Sequence, residues 1–179
     1  MKKKLFSILT VFLITTMLTS TVSAGGNIKL SGAPTSRSPL HLDGYLTGVG
    51  GYKQGVTLEL IGSGIPTTLC TNPAGNEAPG QNPGKIQASG EDFIGPQDIQ
   101  KNGKAPVHVV VAELVGTTIP GNQGGCPNNN WTATITSVAW TEALVLVTNN
   151  ANGNLLLRSE FTCFPAPGVP GAYDCELVQ

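Results

Sequence analysis

The chain has 179 residues, of which 40% are hydrophobic and only 12% charged, with a formal net charge of −1. The first 24 residues carry three lysines and no acid, so the remaining 155 hold seven basic and eleven acidic residues, a formal −4. An acidic chain with scattered lysines excludes nucleic acid and anionic membrane surface as expected partners, because both require clustered Lys and Arg.

Lys2, Lys3 and Lys4 precede an uncharged apolar run over residues 5–18, and Val22-Ser23-Ala24 follows it. A basic start, a short apolar stretch and small residues in sequence predict a cleaved signal peptide over residues 1–24. The apolar run is shorter than the roughly 20 residues a membrane-spanning helix needs. The expectation is therefore a secreted, extracellular protein with no membrane insertion after cleavage, and the lysine-rich leader suits a bacterial source. Residues 25–39 are polar and glycine-rich and read as a flexible lead-in.

All 23 glycines and 13 prolines lie beyond residue 24. They cluster between runs rich in Val, Ile, Leu and Thr, as in a turn-rich all-β protein. Alternation over residues 40–47 predicts a first strand, closed by Gly50-Gly51. Residues 56–61 predict a second, interrupted at Gly62, Gly64 and Pro66 and resumed over 67–70 up to Cys70. Such an interruption suits a bulge or kink on an edge strand. Residues 85–89 read as a short strand, and Asn102-Gly103 suits a hairpin turn. The run 107–114 is the strongest strand. Residues 132–140 and 143–147 follow, with a bulge expected at Ser137 because the apolar positions change parity there. A loop at 149–153 leads to a returning strand over 155–164.

No stretch shows helical periodicity. About seven or eight short strands between turn clusters predict an immunoglobulin-like, two-sheet antiparallel sandwich over residues 40–164, followed by a disulfide arc over 165–179. Trp140 is expected in its core and Trp131 over a disulfide.

Cys70, Cys126, Cys163 and Cys175 all lie beyond the leader, and an even number in an exported chain predicts disulfides. Three connectivities are open. The favoured one joins Cys70 to Cys126, each at a strand-loop junction, and Cys163 to Cys175 across a short Pro- and Gly-rich arc. The absence of any CxxC pair, with isolated histidines, argues against a thiolate metal site. No metal and no cofactor are assigned.

His41 and His108 are the only histidines. Both sit in predicted strands, where a structural role is ordinary, and no G-x-S-x-G elbow accompanies them. No catalytic residue is assigned. Glu91-Asp92 offers an acid pair for an alternative reading as a small extracellular hydrolase, but its spacing does not set it apart from surface acids. Asn130-Trp131-Thr132 is a formal glycosylation sequon.

The most elaborate segments are the loops at 70–85 and 116–131. Their exposed amides at Asn72, Asn76, Gln81, Asn82, Asn128, Asn129 and Asn130, together with Trp131, are the candidate ligand contacts. They suit neutral polar partners such as glycans or a protein surface. The favoured expectation is a non-enzymatic binding or structural module. A third reading is a self-assembling surface-layer or filament subunit built by strand edges.

Two motifs also carry a resemblance. Cys70-Thr71-Asn72, Gly75-Asn76 and the run Ala78 to Pro83, with Gly125 to Thr132 later, resemble an uncharacterised family of small secreted bacterial β-sandwich proteins. The resemblance covers residues 40–161. It implies a β-sandwich and supports pairing Cys70 with Cys126. Ala74 departs from the pattern, which has a second glycine there. The resemblance carries over no catalytic residue.

Overall fold

The computed structural model describes residues 28–36 and 39–178. The expected signal peptide and the start of the lead-in lie outside these residues. The described residues form eleven strands and no α-helix. They are β1 (Lys29–Ser31), β2 (Pro34–Ser36), β3 (Leu40–Thr47), β4 (Val56–Thr71), β5 (Glu77–Pro79), β6 (Ile86–Ile94), β7 (Lys104–Val110), β8 (Thr118–Pro120), β9 (Thr132–Asn149), β10 (Leu155–Pro165) and β11 (Tyr173–Leu177). All pairing is antiparallel and belongs to one sheet.

Eleven strands replace the expected seven or eight. The additions are short pieces, β1, β2, β5, β8 and β11, which local propensity marks poorly because a neighbouring strand holds them. β1 and β2 fall in the segment read as a flexible lead-in, and β11 falls in the C-terminal arc. The two strands expected over 132–147 also fuse into β9, of 18 residues, and the strand expected to be interrupted at Gly62–Pro66 runs unbroken as β4, of 16.

Fusion of β4 across Gly62, Gly64 and Pro66 has a positional reason. β9 pairs one side of β4 throughout, whereas β6 covers the other side only as far as Gly64 and β5 begins at Leu69. Pro66 therefore falls in a gap where one edge has no ladder partner, a position that tolerates a missing N–H. Every second residue of β4 from Val56 to Cys70 is buried, with Ser63 buried as well between Gly62 and Gly64. On β9 the period breaks twice. Thr67 and Thr68 oppose Ser137 and Ile135, leaving Thr136 extra, and Ser63 and Gly64 oppose Glu142 and Trp140, leaving Thr141 extra. The first bulge is one residue from the expected position. Together the two bulges keep Ile135, Trp140 and Ala143 all facing inward.

The sheet path runs from β6 through β4, β9, β10, β11, β2 and β3 to β7. Its two flanks meet, since the Ala112 N–H donates to the Ser89 carbonyl and the His108 N–H donates to Asp92 Oδ2. The main core lies inside this wrapped sheet, with Leu40, Leu42, Leu46, Leu58, Leu60 and Val145 fully buried. β4 and β9 run on beyond it as a long ribbon. At that far end Thr68, Cys70, Ala133 and Ile135 form a second, smaller buried patch.

Candidate functional site

The four cysteines pair as Cys70–Cys126 and Cys163–Cys175. Disulfides form and persist in oxidising compartments, so both are compatible with an extracellular protein. No described helix is long and apolar enough to cross a membrane. Cys163 and Cys175 are direct cross-strand partners in the β10–β11 ladder.

Cys70 is fully buried at the end of the ribbon, and its bond to Cys126 draws the loop at 121–126 over the patch. Backbone hydrogen bonds then zip that loop to residues 80–84. Gln81 N–H donates to Gly125 O at 2.8 Å and Gly84 N–H to Gln123 O at 2.9 Å. The buried Thr68 hydroxyl donates to Gly124 O at 2.6 Å. Gly125 holds φ at +71°, and a Cβ there would collide with the Gln81 carbonyl. Only glycine admits both the left-handed backbone and the close approach.

The predicted contact residues divide into two sets. Asn72 and Asn128 are committed to the backbone. Asn72 Oδ1 accepts from the N–H groups of Ala74 and Asn76, which closes the β4–β5 turn, and Asn128 Oδ1 accepts from Asn130 N–H. These are Asx turns, a local use of the side chain. Trp131 is half-buried beside them. Asn76, Gln81, Asn82, Asn129 and Asn130 are exposed, and their side-chain amides have room to meet a partner. The loop end is thus a self-bonded platform with free amides on its rim.

A second cluster escaped the sequence reading. His41 and Asp43 share the outer face of β3, and the β3–β7 register sets His108 opposite Asp43. His108 Nδ1 hydrogen-bonds Asp43 Oδ1, while His41 Nε2 lies 3.7 Å from Asp43 Oδ2. The alternation His41-x-Asp43 was visible, but a pairing across 65 residues carries no local signal. The Asp43 hydrogen bond, helped by its charge and that of Asp92, raises the pKa of His108 above the ordinary 6.5.

A raised folded-state pKa means that this pair stabilises fully below the unfolded value and loses its effect as pH rises through the folded value. Asp43→Asn is expected to return the His108 midpoint toward 6.5 in an NMR titration. An unchanged midpoint would show that Asp43 is not the cause.

His41 Nε2 faces the Thr35 hydroxyl at 3.2 Å, and Nδ1 faces the Pro39 carbonyl at 3.3 Å. A nucleophilic triad needs the carboxylate on the ring nitrogen away from the hydroxyl, whereas Asp43 approaches the same nitrogen. Glu91 and Asp92 lie side by side on β6 and face opposite ways, and Asp92 is occupied by the His108 N–H. Among the described residues no group of three His, Cys, Asp or Glu is arranged to hold a metal.

No family model matches the chain, and searches of curated proteins and of solved structures find no match either.

Proposed function

We propose that the protein is a secreted, non-enzymatic binding module that makes its contacts through the disulfide-tethered end of the β4–β9 ribbon. The observation that carries this reading is the pairing of rigidity with unspent amides. Backbone zipping and Cys70–Cys126 order the platform, while Asn76, Gln81, Asn82, Asn129 and Asn130 remain exposed on it. Pre-ordering lowers the entropy lost on binding. Amide groups both donate and accept, which suits glycan hydroxyls or a protein backbone. The two disulfides support export, and the proposed kinship with small secreted bacterial β-sandwich proteins agrees with it. In this reading the wrapped sheet packs its core in the manner of an immunoglobulin-like sandwich.

Alanine at Asn76, Gln81, Asn129 and Asn130 together is expected to reduce binding to a glycan array or host-surface extract at least tenfold. Stability should shift by less than about 1 kcal/mol, because exposed side chains without core contacts contribute little. Unaltered binding by this variant would overturn the proposal.

One observation favours self-assembly as a second reading. Among the described residues β1 pairs only with β3, and beside its other edge lies a cavity of about 580 Å³ lined by Ile28, Leu30, Ala33, Leu157, Phe161 and Leu177. A strand from a second copy would satisfy that edge and cover these side chains. Sedimentation should then show concentration-dependent oligomers, and a strict monomer at millimolar concentration would dismiss this reading.

A further inference from the structure

We propose a second site, separate from the ribbon end, that binds a primary alkylammonium group under the C-terminal disulfide arc. Adjacent strands β11, β2 and β3 align Asp174 with Thr35, and Thr35 with His41, on one outward face. These three side chains line a cavity of about 480 Å³ whose opposite wall is Pro167, Val169 and Ala172. The wall is held in place by the Cys163–Cys175 bond and by backbone bonds within the arc, Ala166 N–H to Ala172 O and Ala172 N–H to Val169 O.

The polar side of the cavity offers acceptors. Asp174 is exposed, and its carboxylate can only accept. The Thr35 hydroxyl, 3.2 Å from His41 Nε2, has lone pairs that can accept as well. Among the described residues that line it there is no lysine or arginine. An acceptor-lined, negatively charged hollow selects a cation with several donors. An ammonium has three, and a short aliphatic stem would lie along Pro167 and Val169. A metal ion would need a ligand set that the described residues do not form. The ammonium can come from a lysyl side chain on a polypeptide or from a free amine.

The test is an NMR titration of the purified protein with acetyl-Gly-Lys-Gly-amide, with butylammonium, and with acetyl-Gly-norleucine-Gly-amide as the uncharged counterpart. Saturable shifts are expected at Thr35, His41 and residues 166–172 with both amines and not with the norleucine peptide. Asp174→Asn should weaken amine binding about five- to tenfold, the scale for one partly solvated charge partner. Thr35→Val should also weaken it, and Glu77→Gln at the far end of the ribbon should not. A lysyl peptide that binds tenfold more tightly than butylammonium would identify a polypeptide source, and equal affinities a free amine. Equal binding of the norleucine peptide, full binding by Asp174→Asn, or no saturable shift would overturn the proposal. The ribbon-end proposal is untouched by any of these results, because the two sites share no residue.

Discussion

Trp140→Ala is expected to destabilise the protein by about 3–5 kcal/mol, read as a lower denaturant midpoint with little change in slope. Trp140 is 4% exposed and sits in the main core. Its ring occupies the space above Gly62, and Leu40 from β3 shares that space. A Cβ on Gly62 would stand 2.7 Å from both the Trp140 ring and Leu40 Cδ2, well inside ordinary contact. The missing side chain at Gly62 is therefore what admits the indole between β4 and β3.

This arrangement predicts a dependence between the two positions. Gly62→Ala alone should cost about 1–3 kcal/mol by overpacking. In the Trp140→Ala background the same change should cost much less, since the ring contact is gone and the Leu40 tip can shift into the vacated space. Additive effects would show that the two residues do not share a cavity. Against a total stability of about 5–15 kcal/mol, loss of Trp140 alone would consume a large share.

Much of the scaffold was legible because apolar alternation is a direct imprint of a pleated, half-buried strand. The strand at Leu40–Thr47 was read with its observed bounds. The parity change on β9 announced a bulge to within one residue. Breaker residues misled where their cost was avoided by position, as at Pro66 in the gap between β6 and β5. Three-residue strands were missed because their order comes from a partner. For the same reason the Asp43–His108 pair and the Asp174–Thr35–His41 row stayed hidden, as each depends on strand order. At the loop end the sequence showed which segments are elaborate. It did not show that Asn72 and Asn128 serve the backbone while Asn129 and Asn130 face outward.

Removing Cys70 and Cys126 together, as the double serine variant, is expected to cost about 4 kcal/mol, with a fall in Tm of roughly 8–16 °C. The bond spans 56 residues, and closing so long a loop constrains the unfolded chain strongly. The structure also predicts where the damage falls. Outside the main core, the ribbon end holds only a small patch of buried residues, and the bond closes its lid. Without it, the amides of Gln81, Gly84 and Cys126 should exchange with solvent much faster in hydrogen exchange, because their acceptors lie on the released or facing loop.

Amides of β3 and of β4 from Val56 to Leu60 should instead report only the global loss, since the main core lies around them. Binding through the rim amides should fall with the platform's order even at temperatures where the variant remains folded. A variant that loses stability but keeps the loop amides protected and binding intact would mean that the backbone zipper suffices. The bond would then act only on the unfolded chain, and the case for a disulfide-ordered contact surface would fail.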